Sequence, residues 1–201
     1  MRLYYSKNLN PRVAVAAARH MNSPVDYVFA MPKHPDHEEA FRAINPNTLV
    51  PVLVDGERRL WEADAITCRL SALAGSDFWR TDDSQAEMIM WISWATWHLI
   101  RAGDVFYFWK LVAPTFMDYQ PEQSVFDEAM GNWRKFMDIL DSELEGKTWL
   151  VGNRLSYADF RVGTVFPFAE KAGLPLKEFP RVAAFADRLM EIDAWRDPLP
   201  S

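Results

Sequence analysis

Residues 48–56 read TLVPVLVDG, and this stretch decides the fold. Its β-branched and apolar residues predict a strand over Thr48–Val54. Asp55-Gly56 then predicts a tight turn, which leads into a second strand over Arg58–Trp61 and closes a β-hairpin. Pro51 lies in the middle of the first strand, although proline has no N–H to donate and is normally kept to sheet edges, bulges or cis turns. The pattern therefore predicts a hairpin with an unexplained proline inside it.

The residues on either side of this hairpin alternate between strand-like and helix-like patterns. In order, the further predicted elements are a strand over 3–5, a helix over Pro11–His20 with Asn10 as its cap, a strand over 25–30, a short helix that is capped by Asp36, and a helix over Ala63–Ala74. A crossover helix between the first two strands implies that they pair in parallel. The sequence therefore predicts the order β-α-β-α-β-β-α in a mixed sheet.

The second half of the chain carries helical patterns only. The polar stretch GSDFWRTDD over 75–83 predicts a linker. Beyond it lie long amphipathic patterns, and Ser156 with Asp159 forms the capping-box pattern of a helix start. The sequence therefore predicts an α/β domain over 1–76, a linker over 77–84 and an all-α domain over 85–201.

The composition limits the classes of function. Of 201 residues, 49% are hydrophobic and 25% are charged, which is ordinary for a soluble globular protein. The net charge of −6 argues against a nucleic-acid partner, and no stretch reaches the roughly 18 apolar residues of a membrane span. A single cysteine, Cys68, excludes an internal disulfide, and no signal peptide is recognised, so a cytoplasmic location is predicted. The four histidines show no ligand spacing with cysteine or carboxylates, which predicts no metal site.

Three segments, in this order, resemble the glutathione transferase superfamily: NPNTLVPVL over 45–53, WEADAI over 61–66 and VGNRLSYADF over 151–160. They are similar to the family's NP-x-x-x-VP-x-L stretch, its E-S-x-A-I strand-to-helix turn and the capping-box motif of its helical domain. The resemblance covers essentially the whole chain. It implies an α/β plus all-α protein, in which a thioredoxin-like β-α-β-α-β-β-α domain binds glutathione and an all-helical domain follows. The class within the superfamily stays unassigned.

The resemblance implies a role for the proline. In this family the proline is cis and ends the ladder early, which leaves the N–H and C=O of the preceding residue free. Here that residue is Val50, so Val50 and Pro51 are expected to bind the cysteinyl amide of glutathione in the manner of a β-strand. The alternative is an edge-strand proline without a ligand.

The resemblance also implies where the charged ends of glutathione bind. A helix N-terminus favours an anion, so the γ-glutamyl carboxylate is expected at the N–H of Ala63, with the α-amino group at Glu62. The family most often has serine at the position of Ala63, so one hydrogen bond worth about 0.5–1.5 kcal/mol is missing. The glycine carboxylate needs a cation before the second helix, and Lys33, His34 and His37 all stay candidates.

The family activates the thiol of glutathione with a Tyr, Ser or Cys just after the first strand. In this chain the corresponding positions carry Asn8 and Asn10, and neither side chain has a hydroxyl or thiol. We expect Asn8 to donate to the thiolate, with Ser6 as the next candidate. Asn10 is a third candidate, although its predicted role as a helix cap explains it without any ligand.

Aromatic residues make up 14% of the chain, and many lie between residues 91 and 116. They predict either a large helical core or an aromatic-lined pocket for an apolar ligand. The candidates for the wall of such a pocket are Trp94, Trp97, His98 and Tyr107. Members of the family are usually dimeric, which implies a homodimer here.

The resemblance implies an enzyme, a glutathione transferase that activates glutathione for attack on a small hydrophobic electrophile or for peroxide reduction, as in detoxification. The alternative is a non-catalytic protein of the same fold that binds glutathione or another ligand, or acts in assembly. Ala63 and the absence of a hydroxyl at residues 8–10 favour this alternative. An isomerase or dehalogenase of the same superfamily also stays open.

Overall fold

The computed structural model describes residues 1–200, so Ser201, which ends the predicted helical domain, lies outside the described residues. Contacts between residues divide the chain into two units. The first comprises Met1–Trp79 together with the segment that begins at Ile192, and the second comprises Arg80–Glu191. The boundaries predicted at 76 and 85 stay a prediction. The grouping of the last segment with the first unit is a feature that no sequence pattern indicated.

The first unit has the predicted order of strands and helices. Its elements within Met1–Trp79 are β1 (Arg2–Tyr5), α1 (Leu9–His20), β2 (Asp26–Phe29), α2 (Glu38–Arg42), β3 (Val52–Asp55), β4 (Arg58–Trp61) and α3 (Ala63–Ala74). Within residues 1–200 the strands form one four-stranded sheet in the order β2-β1-β3-β4. β1 pairs in parallel with β2 and antiparallel with β3, and β3 pairs antiparallel with β4. The thioredoxin-like fold class is therefore confirmed.

The core of this unit lies between one face of the sheet and helices α1 and α3. Side chains alternate along a strand, so Leu3 and Tyr5 of β1 point into this core. Tyr4 points to the opposite face, where its ring centre lies 5.8 Å from that of Phe41 in α2. The buried members of the core are Leu3, Tyr5, Val15, Ala18, Leu53, Ile66 and Leu70.

The hairpin is confirmed, with Asp55 paired to Arg58 across its turn. Strand β3 begins only at Val52, however, so the prediction of a strand from Thr48 was wrong. The chain before β3 bends, because Thr48 has a left-handed φ of +50° and the Val50–Pro51 peptide bond is cis. Proline has no N–H for the ladder, so regular pairing starts after it.

The starts of two helices in this unit differ from those predicted. Helix α1 begins at Leu9 with Asn8 as its N-cap, so the prediction of Asn10 as the cap was wrong. Pro11 is the third residue of the helix, a position it tolerates because N–H groups of the first turn have no partner within the helix. Helix α2 also starts later than expected, because its N-cap is His37.

Residues 80–191 contain helices and turns but no strand, as predicted. The first helical stretch is continuous from residue 85 to 112, with π-helical turns over Ala95–Leu99 and Phe108–Val112. The α-helices are α4 (Gln85–Trp94), α5 (Ile100–Tyr107), α6 (Gln123–Glu143), α7 (Tyr157–Val162), α8 (Ala169–Ala172) and α9 (Pro180–Met190), and a last helix, α10 (Asp193–Arg196), belongs to the first unit. In the part of the chain that the structure describes, no helix has the length and hydropathy needed to cross a membrane.

Helix α7 begins with the predicted capping box. The Asp159 carboxylate accepts hydrogen bonds from the backbone N–H and the hydroxyl of Ser156, at 2.7 and 3.1 Å. Its other oxygen accepts the N–H of Leu150 at 2.9 Å. Asp159 is fully buried, and burial raises its pKa to about 6. One carboxylate therefore fixes the start of the helix and ties the preceding loop to it.

Two arginines of α1 bind the C-terminal segment of the chain. The buried guanidinium of Arg12 lies 4.7 Å from the ring centre of Trp195 and donates a hydrogen bond to the Trp195 carbonyl. Arg19 donates to the carbonyls of Asp197 and Pro198 at 2.9 and 3.0 Å. These contacts hold the last helix against α1.

Candidate functional site

Several chain segments leave the sheet of the first unit at the same end. In the antiparallel pair of β1 and β3, Tyr4 lies opposite Val52, so the residues after β1 and those before β3 share one end of the sheet. Val52 also lies opposite Trp61, which brings the start of α3 to that end. The loop after β2 leaves from there too, because β2 is parallel to β1. The candidate residues at 6–10, 50–51 and 62–63 therefore lie near one another, and the loop that carries residues 33–37 starts beside them.

Val50 has backbone groups that the sheet does not use. Because β3 begins at Val52, Val50 has no partner in the ladder among residues 1–200. The residue is half-buried and precedes the cis bond to Pro51. A free N–H and C=O on one residue can pair with an extended peptide in the way that a neighbouring strand would. Val50 can therefore bind the backbone amide of a ligand.

The start of α3 offers groups for both charges of an amino acid. Glu62 is the exposed N-cap of this helix, with φ +73° and ψ +128°, a strained conformation of the kind found at functional sites. Ala63, buried, is the first helical residue. The N–H groups of the first turn lack partners within the helix and carry the positive end of its dipole, so they can hold a carboxylate. The side chain of Glu62 can accept an ammonium group beside it.

The three candidate hydrogen-bond donors lie between β1 and the first turn of α1. Ser6 is half-buried, and its hydroxyl oxygen accepts the N–H of Asn8 at 3.5 Å. Asn8 is exposed, and its side chain makes no hydrogen bond to any described residue, including those of the helix that it caps. Asn10 is exposed in the first turn of α1 and, unlike the side chain of Asn8, is not without an interaction partner. Of the two asparagines, Asn8 has the amide that is available to a ligand.

The three candidate cations, Lys33, His34 and His37, are exposed in the loop between β2 and α2. The N–H of His37 donates to the carbonyl of His34 at 2.9 Å, and the centres of the two imidazoles lie 5.3 Å apart. Both rings border a cavity of about 490 Å³, whose other walls include Tyr4 and Phe41. Lys33 does not line this cavity. The structure therefore places both histidines at this cavity and Lys33 outside its lining.

The four aromatic candidates of the second unit do not form one wall. Trp97, which is 65% exposed, and His98 border a groove of about 400 Å³ between the helical stretch 85–112 and α6. The ring of Trp94 packs edge-on against Phe136 of α6, with 6.0 Å between ring centres. Tyr107 is only 8% exposed, so its side chain is part of the core of this unit. The structure brings Trp97 and His98 together but does not bring Tyr107 to them.

Cys68, the only cysteine of the sequence, lies half-buried in α3. Burial raises the pKa of its thiol, which lowers the fraction of reactive thiolate at neutral pH. As far as residue 200, no three His, Cys, Asp or Glu side chains come close enough together to hold a metal ion. The raised pKa therefore makes the thiol of Cys68 less reactive than that of an exposed cysteine.

Sequence reasoning missed two residues near this end of the sheet. Asn45 is 2% exposed, and its side chain hydrogen-bonds within the loop that leads to Val50. The Asn-Pro pair at 45–46 is a turn signal that could have pointed to it. Arg12, one turn after Asn8, contacts Trp195 from a distance of 183 residues in the chain, and no local pattern signals such a pair.

Models of one protein family match both halves of the chain. The model described as "Glutathione S-transferase, N-terminal domain" matches residues 1–68. The model described as "Glutathione S-transferase, C-terminal domain" matches residues 95–193. The first match includes the segments that form the candidate site.

Individual proteins of this kind are similar over most of the chain. The chain is 29% identical over 201 residues to the "Probable glutathione S-transferase GSTF2" of Oryza sativa subsp. japonica, with 94% of this chain and 91% of the relative covered. It is 30% identical over 193 residues to the dichloromethane dehalogenase of Methylophilus leisingeri, with coverage of 86% and 68%. A solved structure of glutathione S-transferase I from maize, in complex with an atrazine glutathione conjugate, has the same fold. Its TM-score is 0.85 at 24% identity, with 98% of this chain and 95% of that chain covered.

Proposed function

The chain belongs to the glutathione transferase superfamily, and on this premise we propose that it is an enzyme which activates glutathione for attack on a small hydrophobic electrophile. The observation that carries the proposal is the common end of the sheet from which residues 6–10, Val50-Pro51 and Glu62-Ala63 extend. These segments offer a donor for the sulfur, a backbone pair for the cysteinyl amide and a helix N-terminus for a carboxylate. The proposed location is the cytoplasm, where glutathione is the main thiol, and the proposed role is detoxification.

Glutathione is expected to bind as an extended strand beside Val50. Its cysteinyl amide would pair with the N–H and C=O of Val50, which stay available because the ladder starts after Pro51. Its γ-glutamyl carboxylate would bind at the N–H of Ala63, and its ammonium group at the carboxylate of Glu62. The missing hydroxyl at residue 63 makes this binding weaker than in a relative with serine there.

The glycine carboxylate of glutathione would reach a cation in the loop after β2, and His37 and Lys33 are the proposed candidates, with His34 beside them. Alanine substitutions distinguish the candidates, because removal of the cation that binds the carboxylate weakens glutathione binding. Lower affinity in His37→Ala would support His37, and lower affinity in Lys33→Ala would support Lys33. If only His34→Ala binds more weakly, His34 is the cation.

The proposed chemistry has one nucleophilic step. A side-chain N–H of Asn8 donates to the sulfur of glutathione and stabilises the thiolate, whose proton passes to solvent. The thiolate supplies the electron pair of the new carbon–sulfur bond, and the leaving group departs with the pair of the bond that breaks. Ser6 is the second candidate donor and Asn10 the third. An amide polarises a thiol less than an aligned hydroxyl, so slow turnover is expected.

The exposed aromatic side of the second unit supports two proposals. Trp97 and His98, supported by Trp94, could form one wall for the electrophile. A homodimer is also proposed, because Ile89, Met90 and Trp97 are large apolar side chains exposed on one helical stretch, where a second copy could pack. Tyr107 lies in the core and would contact neither the electrophile nor a second copy directly.

Titration calorimetry and turnover assays test the proposed function. We expect the protein to bind glutathione and to conjugate it to a chloro-nitrobenzene or to reduce a peroxide with it. Binding without turnover would favour the non-catalytic alternative, which Ala63 and the lack of a hydroxyl on Asn8 already support. No heat up to millimolar glutathione would contradict the proposed enzyme and would favour a non-catalytic protein of the same fold that binds another ligand or acts in assembly. The ultraviolet absorbance of the bound thiolate, measured against pH in Asn8→Ala and Ser6→Ala, identifies the donor, since only its loss raises the pKa of the thiol.

A further inference from the structure

The loop before β3 is folded around one buried side chain, that of Asn45. Asn45 is 2% exposed. Its amide nitrogen donates a hydrogen bond to the carbonyl oxygen of Leu49 at 2.8 Å, and its amide oxygen accepts the N–H of Asn47 at 3.0 Å. The backbone carbonyl of Asn45 also accepts the N–H of Thr48, at 2.9 Å. Asn45 therefore holds three consecutive residues, Asn47, Thr48 and Leu49, the last of which precedes Val50.

The bond to Leu49 determines the direction of the N–H of Val50. The peptide bond between Leu49 and Val50 is trans, and a trans peptide is planar, so its C=O and its N–H point in opposite directions. Asn45 holds the Leu49 oxygen on the buried side of the loop. The N–H of Val50 must then point away from Asn45, and no described residue accepts it, because the ladder of β3 begins only at Val52.

The loop would not keep this shape without such support. Thr48 has a φ of +50°, a left-handed conformation that is unfavourable for a β-branched residue. Residues in such conformations persist only where the surroundings fix them. The side-chain hydrogen bonds of Asn45 lie on either side of Thr48, and they supply this constraint.

We infer that Asn45 is a positioning residue for ligand recognition: it orients the Val50 N–H toward the carbonyl of the cysteinyl residue of glutathione. This inference rests on the proposed function, in which Val50 binds that amide. It goes further because it assigns the geometry of the contact to a side chain that itself touches no ligand. It predicts that the loss of a single donor, the amide nitrogen of Asn45, weakens one identified hydrogen bond.

The test uses Asn45→Asp, with Asn47→Ala as its control. Aspartate has nearly the same shape and keeps an oxygen for the N–H of Asn47, but it presents an oxygen instead of a donor to the Leu49 carbonyl. The side chain of Asn47 is exposed and makes only a 3.2 Å bond to the amide oxygen of Asn45, so its removal leaves the contact with Leu49 intact. Asn45→Ser is a second variant, since a serine hydroxyl can still accept the N–H two residues on but cannot reach Leu49.

Two ligands provide a readout that a general loss of stability would not change. One is glutathione, and the other is an analogue whose Cys–Gly peptide is replaced by a trans-alkene, which has the same shape but no carbonyl oxygen. If the Val50 N–H binds that oxygen, the wild-type protein and Asn47→Ala should bind glutathione about fivefold more tightly than the alkene, the equivalent of one hydrogen bond. In Asn45→Asp and Asn45→Ser this preference should fall below about twofold.

The outcomes separate this inference from the function on which it rests. If the wild-type protein does not bind glutathione, the proposed function is wrong. If it binds with the fivefold preference and both Asn45 variants keep that preference, the proposed function stands and the role of Asn45 is overturned. Circular dichroism on the same samples reports folding. If neither Asn45 variant folds, Asn45 is a folding residue and the inference is also overturned.

Discussion

Two adjacent residues at the start of α3 have opposite effects on the expected affinity for glutathione. Glu62 combines an exposed carboxylate with a strained backbone, an arrangement that costs free energy and is kept at sites of function. Ala63 contributes a backbone N–H but no side-chain donor. The first residue supports a site for an amino-acid group, and the second lowers its affinity. Single substitutions at these positions measure both effects.

Replacement of Glu62 by alanine should weaken glutathione binding by about tenfold to a hundredfold, because a charged hydrogen bond to the ammonium group is lost. Calorimetric titration measures the change. Glu57→Ala, which removes an exposed carboxylate from the turn of the same hairpin, is the control and should leave the affinity unchanged. If Glu62→Ala keeps the wild-type affinity, glutathione does not bind at this residue.

Ala63→Ser should strengthen glutathione binding by about two- to tenfold, since it supplies the hydroxyl donor that the helix start lacks. The same titration measures it. Ala65→Ser adds a hydroxyl to an exposed position of the same helix and should have no effect. Equal affinities of Ala63→Ser and the wild-type protein would mean that the γ-glutamyl carboxylate binds elsewhere.

At the scale of the elements, the absence of a side chain at Gly103 lets helix α5 pack closely against helix α6. A Cβ atom on Gly103 of α5 would lie 2.8 Å from Cζ3 of Trp133 in α6 and 2.9 Å from Cγ1 of Val165. Trp133 is fully buried, so it has little room to move. On α6 itself, a Cβ atom on Gly131 would meet no atom within 4 Å. The packing therefore requires glycine at residue 103 but has room for a larger residue at 131.

Gly103→Ala should lower the free energy of unfolding by about 1–3 kcal/mol, because the added methyl group overpacks the contact with Trp133. Gly131→Ala should instead raise it by about 0.5–1 kcal/mol, because alanine favours the helix and finds open space. Urea unfolding followed by circular dichroism measures both. Effects of the same sign in the two variants would show that the close approach at Gly103 is not structurally important.

The capping box of α7 should make stability depend on pH. Burial raises the pKa of Asp159 from 3.8 to about 6, so between these values the folded protein binds a proton that the unfolded chain does not. The contribution to stability is therefore greatest at low pH and is lost as pH rises through about 6. When the pH is lowered from 7 to 5, the free energy of unfolding of the wild-type protein should increase by about 1 kcal/mol relative to that of Asp159→Asn, whose side chain cannot titrate.

Urea unfolding at the two pH values measures this difference, with Asp187→Asn, at an exposed position of α9, as the control. The free energy of unfolding of this control should change between the two pH values by the same amount as that of the wild-type protein. If Asp159→Asn also follows the wild-type protein, the carboxyl group of Asp159 does not titrate in this range.

For the whole molecule, the local patterns predicted the fold better than they predicted where its elements begin. The Asp-Gly turn and the Ser156–Asp159 pair each carry their signal within a few residues, and both features are confirmed. The start of α1 was predicted wrongly because Pro11 fits the first position of a helix as well as the third. Two other features could not be predicted from local patterns. The hydrogen bond from the Asn45 amide to Leu49 and the contact of Arg12 with Trp195 both depend on the tertiary structure.

For the candidate site, the sequence predicted which segments take part but not how they are arranged in space. Residues around 8, 50 and 62 followed from motifs, and strand register brings them to one end of the sheet. Which asparagine has a free amide could not be read from sequence, since it depends on whether each side chain bonds to its own helix. The aromatic run was ambiguous for a similar reason, because helical spacing alone does not separate the exposed Trp97 from the buried Tyr107.

If the exposed apolar side of the second unit joins two copies, Trp97→Ala should convert a dimer into a monomer, because the most exposed large side chain of that face is lost. Sedimentation equilibrium measures the mass. Tyr119→Ala removes another exposed aromatic residue of the same unit and should leave the dimer intact. A Trp97→Ala variant that stays dimeric but needs more electrophile for half-maximal rate would instead place Trp97 in the substrate pocket.

The contact between α1 and the last helix has a consequence for the order in which the protein is made. Arg12 and Arg19 leave the ribosome before the second unit, Arg80–Glu191, and their partners Trp195, Asp197 and Pro198 leave it after that unit. The first unit is therefore completed only after the second unit has been synthesised. Until then, Arg12 and Arg19 lack the partners that hold the last helix against α1.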